Sequence, residues 1–255
     1  MKKYKGLLID LDGTMYRGNE AIKEAPFFVE ECRKQGIPYV FLTNNSSRQP
    51  LQVADKLNGM GIHALPEQVY TSSMAAAAYI QRTFPEPDVF MIGEEGLESA
   101  LLAGGATLTE ENADVVVVGI DRELSYDKLR KAALNIQNGA VFVSTNKDRA
   151  IPTEEGMLPG NGAITEAIAL TTGISPVYVG KPEALIVEEA LEVLGVSKEE
   201  ALLVGDNYET DISTGIHAGV DTLMVETGAT SFEDLNEVAS QPTYKVKKLD
   251  EWTFS

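Results

Sequence analysis

Two aspartates one residue apart close the first apolar run of the chain. Residues 7–9 are Leu-Leu-Ile and lead directly into Asp10, and Asp12 follows after one leucine. Carboxylates at the mouth of a buried strand lose hydration and repel each other, so they call for a compensating cation or substrate. Mg²⁺ requires oxygen ligands, and a carboxylate can also be the nucleophile that accepts a phosphoryl group. The pair therefore indicates metal-assisted phosphoryl transfer.

Further polar groups that suit a phosphate and a metal follow other apolar runs. They are Thr43, Asn44 and Asn45 after one run, Lys181 after another, and Asp206 and Asp211 after a third. Each group alone is typical of a turn, a helix cap or a solvated lysine. Together they supply a nucleophile, a hydroxyl donor, a lysine and metal-binding acids, which is the set that phosphoryl transfer requires.

Short β-branched runs alternate with amphipathic stretches, which is the pattern of βα units around a parallel sheet. Strands are predicted over 6–9, 38–42, 69–71, 89–92, 115–118, 141–144, 177–179, 201–204 and 222–225. Helices are predicted over 25–35, 50–60, 73–82, 126–138, 163–172, 183–194 and 210–218. Pro182, directly after Lys181, suits the first position of a helix. In open parallel sheets, ligands bind outside the carboxyl ends of the strands, where the polar groups lie.

Two proline-bearing breaks, at 83–88 and 173–176, mark junctions between domains. The segment between them is roughly the size of a small α/β domain and has predicted strands of its own. We therefore predict an α/β fold with a Rossmann-like, doubly wound parallel-sheet core over residues 1–79 and 178–255. An α/β domain over residues 80–177 is inserted into this core.

The composition limits the partners and the location that we expect. The 255 residues carry a formal net charge of −18, which argues against nucleic acid or an anionic membrane, since both need a basic surface. No apolar run approaches the ~20 residues of a membrane-spanning helix, and the basic start meets Asp10 too early for a signal peptide. A single cysteine, Cys32, excludes an internal disulfide framework and favours the cytoplasm. An anionic substrate must be offset locally by metal, lysine and helix N-termini.

The polar groups occur in an order that is known from one family. Residues 10–14 read Asp-Leu-Asp-Gly-Thr, and Thr43, Lys181 and Gly205-Asp206 with Asp211 follow in that order. This set resembles the four motifs of the haloacid dehalogenase superfamily of phosphohydrolases. The runs 42–48, 179–182, 204–207, 144–148 and 159–162 resemble the NagD-type, 4-nitrophenylphosphatase-like branch. The resemblance implies a phosphatase in which the inserted domain is a large α/β cap of the C2 type.

The resemblance also implies a role for each motif residue. Asp10 would attack phosphorus to form an aspartyl-phosphate, and Asp12 would protonate the leaving oxygen and later deprotonate the attacking water. Thr43 and Lys181 would bind the phosphoryl oxygens. Mg²⁺ would be held by Asp10, Asp206 and the backbone carbonyl of Asp12, with waters in the remaining positions.

The other expected site residues surround this set. Asp211 and Asn207 would lie behind the metal ligands, with Asp211 bracing Lys181 or holding a metal-bound water. The cap would close over the site, exclude water and read the leaving group. The expected substrate-binding residues are Gly13, Thr14, Asn44, Asn45, Arg48 and, on the cap, Asn146 and Asp148.

Two functions of different classes remain open on the residues alone. One is a Mg²⁺-dependent phosphomonoesterase for a small phosphorylated metabolite such as a sugar phosphate, nucleoside monophosphate or phosphoglycolate, or for 4-nitrophenyl phosphate. The other is a signalling or binding module that holds an aspartyl-phosphate without hydrolysing it. Asp12, which is suited to acid–base work, and an insert too large for a simple switch favour the phosphatase. The sequence leaves room for a homodimer through the cap.

Overall fold

The computed structural model describes residues 2–153 and 155–254, which group into two units. The first unit consists of Met1–Thr43, Pro50–Tyr70 and Lys181–Ser255, and the second of Asn44–Gln49 and Thr71–Gly180. The second unit is thus inserted into the sequence of the first, as predicted. This division places residues 44–49 and 71–79 with the inserted unit, whereas the predicted domains, 1–79 with 178–255 and 80–177, place them in the core. The predicted domain limits stay a prediction.

A six-stranded sheet forms the centre of the first unit. Each pairing from its first to its fifth strand is parallel. Its strands lie in the order Tyr244–Val246, Asp221–Val225, Ala201–Gly205, Gly6–Asp10, Tyr39–Thr43 and Val69–Thr71. Leu7 and Ile9 on one face of the strand Gly6–Asp10 are as buried as Leu8 on the other. Since successive side chains point to opposite faces, this sheet is covered on both sides.

Helices and short turns connect these strands. The helices of the first unit are Ala25–Lys34, Pro50–Gly59, Leu185–Leu194 and Ser213–Ala218, the last preceded by the π-helical turn Tyr208–Ile212. The 3₁₀ turns are Pro66–Gln68, Lys198–Glu200, Asp234–Glu237 and Leu249–Glu251, and a hairpin joins Tyr16–Arg17 to Glu20–Ala21. The helices Ala25–Lys34 and Pro50–Gly59 share one apolar cluster with Leu7 and Ile9.

The order of the strands reverses beside the first strand of the chain. From Gly6–Asp10 the chain proceeds outward through Tyr39–Thr43, and it later returns on the other side with Ala201–Gly205. The two halves diverge there, and in open parallel sheets this is the place where ligands bind, outside the carboxyl ends of the strands. The fold therefore directs Asp10, Thr43 and the residue after Gly205 to one edge of the sheet.

The second unit has its own five-stranded sheet, which is parallel throughout. Its strands lie in the order Val177–Tyr178, Val141–Ser144, Val115–Val118, Asp88–Ile92 and Thr107–Leu108. Its helices are Ser72–Thr83, Glu95–Ala103, Tyr126–Gln137 and Asn161–Thr172, and the strands Ala150–Thr153 and Gly156–Pro159 form an antiparallel pair. Both units are therefore α/β, which confirms the predicted fold class.

Most predicted elements lie where the sequence placed them, with ends that differ by a few residues. The expectation for Pro182 is wrong, because the helix begins at Leu185 and residues 181–184 form turns. The helix Glu95–Ala103 and the edge strand Tyr244–Val246 had not been predicted. The predicted helix 210–218 is the π-helical turn followed by Ser213–Ala218. Over residues 2–153 and 155–254, none of the helices combines the length and apolarity that a bilayer crossing needs.

Candidate active site

Asp10 and Lys181 meet at the carboxyl edge of the first sheet. Asp10 is the last residue of its strand and is buried, and its Oδ1 accepts a hydrogen bond from Lys181 Nζ. Lys181 Nζ also donates to Asp211 Oδ1 at 2.7 Å and to the carbonyl oxygen of Leu42 at 3.4 Å. Asp10 Oδ2 is buried and accepts no hydrogen bond from the described residues. A buried carboxylate oxygen without a donor is costly, so it indicates a position for a ligand.

The carboxylates of Asp10, Asp206 and Asp211 form a cluster in which one oxygen of each lies within 4.8 Å of the others. Burial raises the pKa of Asp10 well above its usual range, and the charges of Asp211 and Asp206 add to this, while Lys181 opposes it. Burial alone would lower the pKa of Lys181, but the charges of Asp10 and Asp211 and their hydrogen bonds raise it above its ordinary value. When all are ionised, three carboxylates face one ammonium group in this cluster. The excess negative charge matches one divalent cation.

Asp206 follows the strand Ala201–Gly205 and is held by donors on two loops. Its Oδ1 accepts from the hydroxyl of Thr14 at 2.9 Å, and its Oδ2 accepts from the N–H of Ala229 at 2.6 Å. A Cβ on Gly13, whose φ is +92°, would lie 2.3 Å from Asp206 Oδ2, so only glycine lets this turn pass. Thr14 and Gly13 were predicted to bind substrate. In the structure Thr14 donates to the Asp206 carboxylate, and Gly13 packs against it.

Burial raises the pKa of Asp206, and the charge of Asp211 raises it further. The N–H of Ala229, the hydroxyl of Thr14 and the charge of Lys181 all act in the opposite direction. Burial therefore outweighs the donors within the protein. A cation beside Asp206 would favour its ionised form.

Asp211 supports Lys181 from a turn of the chain. The π-helical turn Tyr208–Ile212 brings its buried carboxylate back toward the sheet, where Oδ1 accepts from Lys181. Its Oδ2 accepts from the N–H of Asn207 at 3.1 Å, and Asn207 Oδ1 accepts from the N–H of Glu209 at 3.0 Å. Both Asp211 oxygens therefore already have donors, which suits an acid that positions the lysine.

Asp12 differs from Asp10 in its exposure. It lies in the turn after the strand and is exposed, whereas Asp10 is buried. The neighbouring protein still removes enough water to raise the pKa of Asp12 above its ordinary value, although the charges of Lys56 and Lys181 lower it. The two aspartates thus have the different environments that different chemical roles require.

Thr43, whose hydroxyl is predicted to bind a phosphoryl oxygen, ends the strand Tyr39–Thr43 and is buried.

Three of the predicted substrate-binding residues form one cluster in the second unit. Asn44 Nδ2 donates to Asp148 Oδ1 at 3.1 Å, and Asn146 Nδ2 donates to the carbonyl oxygen of Asn44 at 2.8 Å. The N–H of Asp148 donates to Asn146 Oδ1 at 3.0 Å. This amide–carboxylate cluster lies at the carboxyl end of the strand Val141–Ser144. It consists of Asn44, Asn146 and Asp148, of which Asn146 is buried and the other two are half-buried.

Asn45 and Arg48 belong to a turn beside this cluster. Asn45 Oδ1 accepts from the N–H groups of Ser47 and Arg48, each at 3.0 Å, which is an Asx-type turn. The Arg48 side chain is exposed. The structure therefore gives Asn45 a structural contact, and the binding roles of both residues stay predictions.

Two sets of polar residues next to these groups were not among the predicted site residues, although Asn161 lies in the run 159–162. The loop 227–230 follows the strand Asp221–Val225 and contacts Asp206 and Gly13. Asn161 Nδ2 donates to the carbonyl oxygen of Asn146 at 2.8 Å and thereby holds the amide–carboxylate cluster's loop. The loop 227–230 carried a recognisable signal, since it is Thr-Gly-Ala-Thr one residue after an apolar strand.

Comparisons with known proteins place these motifs in one family. The profile of the haloacid dehalogenase-like hydrolases matches residues 7–107, and a HAD-hydrolase-like profile matches residues 178–252. The chain is 53% identical over 252 residues to the 5'-nucleotidase YutF of Bacillus subtilis, covering 99% of this chain and 98% of that one. It is 48% identical over 252 residues to the acid sugar phosphatase of Staphylococcus aureus, covering 98% of this chain and 97% of that one.

Solved structures of similar phosphatases also match the chain over its length. A double mutant of the thermostable NPPase from Geobacillus stearothermophilus superposes with a TM-score of 0.95 at 52% identity, with 100% of both chains covered. NagD from E. coli K-12 superposes with a TM-score of 0.95 at 32% identity, again with 100% of both chains covered. The similarity therefore extends over nearly the whole chain, including the segments that carry the predicted motifs.

We predict that a divalent cation stabilises the folded chain through the carboxylate cluster. At a concentration 100 times its Kd, the melting temperature should rise by about 5–10 °C, since binding to the native state alone adds about 2.7 kcal/mol. Asp206→Asn should remove most of this rise in a thermal-shift measurement. The control Asp55→Asn, which alters an exposed carboxylate on the helix Pro50–Gly59, should keep it. An equal rise in the Asp206 variant would show that the cation binds elsewhere.

Proposed function

We propose a mechanism for this chain from the premise that it belongs to the haloacid dehalogenase-like hydrolases, in their NagD-like branch. It is a phosphoric monoester hydrolase that acts on small substrates, as its relatives are. We propose that hydrolysis proceeds through an aspartyl-phosphate on Asp10, with Mg²⁺ as the cation. The observation that carries this proposal is the Asp10 carboxylate, which Lys181 anchors through one oxygen and which has no donor on the other.

Asp10 is the nucleophile of the proposed reaction. A carboxylate oxygen attacks the phosphorus of the substrate, the new O–P bond forms, and the bond to the leaving oxygen breaks. Lys181 orients Asp10 and opposes the rise in its pKa, and Lys181 is itself fixed by Asp211 and by the carbonyl oxygen of Leu42. Together with Thr43, the ammonium group of Lys181 also binds the phosphoryl oxygens, for which it exchanges its 3.4 Å hydrogen bond to the carbonyl oxygen of Leu42, and it offsets their charge.

Asp12 is the general acid and base. In the first step it gives its proton to the leaving oxygen, and in the second it takes a proton from the water that hydrolyses the aspartyl-phosphate. A raised pKa suits the first task, because it favours the protonated form that a general acid needs. Its exposed position in the turn also allows it to reach a leaving group outside the buried cluster.

Asp10, Asp206 and the backbone carbonyl of Asp12 would hold Mg²⁺. The fit rests on the unpaired Oδ2 of Asp10, on the excess of carboxylates over ammonium groups in the cluster, and on an all-oxygen donor set. When bound, the cation would neutralise the carboxylates and polarise the phosphoryl group. Asp211 remains behind these ligands, because its oxygens accept from Lys181 and from the N–H of Asn207.

The inserted α/β unit is the proposed cap, and its amide–carboxylate cluster is proposed to read the leaving group. Amide and carboxylate groups recognise hydroxyl groups by donating to or accepting from them. We propose small organic phosphates as substrates, namely sugar phosphates, nucleoside monophosphates, phosphoglycolate or 4-nitrophenyl phosphate. The names of the relatives support this range, since they include a 5'-nucleotidase and an acid sugar phosphatase.

The cellular setting belongs to the same proposal. The net charge of −18 supports a partner set without nucleic acid or anionic membrane surfaces. The single cysteine, Cys32, is buried and free, which supports the cytoplasm as the location. A homodimer through the cap stays a prediction.

We expect Asp10→Asn to lower kcat for 4-nitrophenyl phosphate by roughly 10⁴-fold or more, because the amide cannot form the phosphorylated intermediate. Steady-state kinetics with saturating Mg²⁺ measures the loss. The matched control is Asp55→Asn, which makes the same chemical change at an exposed helix position. Near-normal hydrolysis by the Asp10 variant would exclude Asp10 as the nucleophile.

Asp12→Asn should slow both chemical steps by about 10²–10⁴-fold, as expected for loss of a general acid–base group. The leaving group of 4-nitrophenyl phosphate needs little protonation. With this substrate, hydrolysis of the aspartyl-phosphate should therefore be slowed more than its formation. We therefore expect a burst of nitrophenolate and an accumulated phosphoenzyme in acid-quench experiments. If the phosphoenzyme of this variant hydrolysed at the wild-type rate, Asp12 would not be the base.

Asp148→Asn should change the choice of substrate more than the chemistry. We expect kcat/KM to fall by about 10–100-fold for a substrate whose leaving group donates a hydroxyl hydrogen to this carboxylate. For 4-nitrophenyl phosphate, which offers no such donor, kcat/KM should stay close to that of the control Asp127→Asn, an exposed carboxylate of the same unit. A uniform loss across a panel of sugar phosphates, nucleotides and 4-nitrophenyl phosphate would contradict the proposed role.

A further inference from the structure

We infer that the segment 227–230, called the strap below, positions the carboxylate of Asp206 and the turn after Asp12, and thereby sets the affinity of the cation site. The inference rests on the proposed cation site. The strap follows the strand Asp221–Val225, which pairs in parallel with Ala201–Gly205. It therefore starts at the edge of the sheet where Asp206 begins. The positioning residues are Thr227, which belongs to the strap, and Arg17, which donates hydrogen bonds to it.

The strap lies directly against the Asp206 carboxylate. A Cβ on Gly228 would lie 1.8 Å from Asp206 Oδ2, so no side chain fits at this position. The N–H of Ala229, the next residue of the strap, donates to the same oxygen at 2.6 Å. Since Oδ1 accepts from Thr14, both oxygens are oriented by neutral donors. Each oxygen keeps a further lone pair, so a cation can still bind.

Thr227 joins the strap to the turn after Asp12. Its side chain is buried, and its hydroxyl donates to the carbonyl oxygen of Gly13 at 2.7 Å. The N–H of Gly13, which shares a peptide unit with the Asp12 carbonyl, donates to the carbonyl oxygen of Tyr16 at 2.7 Å. Both peptide groups of Gly13 are thus fixed. The direction of the Asp12 carbonyl, a proposed metal ligand, follows from this arrangement.

Arg17 anchors the strap from the hairpin. Its guanidinium group donates to the carbonyl oxygen of Thr227 from Nε at 2.7 Å and also from Nη2. Arg17 is the neighbour of Tyr16, whose carbonyl oxygen accepts from Gly13. Turn, strap and hairpin therefore close a ring of hydrogen bonds around the Gly13 peptide groups.

The other end of the strap is bonded to the loop that carries Asp206. The N–H of Thr230 donates to the carbonyl oxygen of Asp206 at 3.3 Å, and the Thr230 hydroxyl accepts from the N–H of Tyr208 at 3.0 Å. The strap is thus bonded to both segments that supply the proposed cation ligands. Displacing it would release the Asp206 carboxylate and the Asp12 carbonyl together, and cation affinity depends on such orienting groups.

Calorimetric titration of the metal-free full chain with Mg²⁺, in phosphate-free buffer, tests the inference. Thr227→Val removes the hydroxyl at nearly constant shape and should raise the Kd for Mg²⁺ by about 10–100-fold. Thr227→Ser restores the hydroxyl and should return the Kd close to that of the wild type. Thr243→Val is the matched control, because it removes a hydroxyl that accepts from the N–H of Thr222 at the opposite edge of the sheet, and its Kd should not change.

The possible outcomes distinguish a failure of the proposed cation site from a failure of the proposed role of the strap. A wild-type chain that binds no Mg²⁺ would overturn the proposed Mg²⁺ site and the inference with it. Binding by the wild type with an unchanged Kd in Thr227→Val would overturn the strap alone. If Thr227→Val does not fold, Arg17→Gln decides, since the Arg17 side chain is exposed and its loss leaves the interior intact. An unchanged Kd in that variant would equally exclude a positioning role.

Discussion

The site depends on one buried ammonium group, that of Lys181, placed between the carboxylates of Asp10 and Asp211. Removing each of these charges from water costs several kcal/mol, so none would stay ionised in this position by itself. The charge of Lys181 favours the anion of Asp10, but burial and the charges of Asp211 and Asp206 outweigh it and keep the pKa of Asp10 raised. The single ammonium group of Lys181 does not also neutralise Asp206, which adds a further buried carboxylate to the cluster. The need for a cation is therefore a result of how these acids are buried.

The parallel sheet makes this arrangement attainable. Its strand order reverses beside Gly6–Asp10, and at this position Asp10 ends one strand and Asp206 follows the end of the next. The apolar strands are buried on both faces, so they hold the backbone of each site residue rigidly while their carboxyl ends remain open to ligands. The same construction occurs in the inserted unit, where the amide–carboxylate cluster follows a strand of a second parallel sheet.

The sequence predicted the parts of this protein that local patterns determine. Apolar runs that end in acids located Asp10 and Asp206, because the strand and its polar end are contiguous in the chain. The contacts of Thr227 with Gly13 and of Arg17 with Thr227 could not be predicted, since they join residues that are more than 200 positions apart. The helix Glu95–Ala103 was missed because Gly96, near its start, is typical of a turn. The pairing of Asn44 with Asp148 was missed for the same reason as the strap, since only the folded chain brings these positions together.

The segment Asn44–Gln49 has a consequence for how this protein can be recombined with its relatives. It groups with the inserted unit although it directly follows Thr43, and the N–H of Ile120 donates to the hydroxyl of Ser46 at 3.0 Å. A chimaera that replaced only residues 71–180 would combine a foreign sheet with a loop shaped for the native one. The transplantable module is therefore discontinuous, and its smaller piece is the six-residue loop Asn44–Gln49 that directly follows Thr43. Residues 44–49 and 71–180 must therefore come from the same parent.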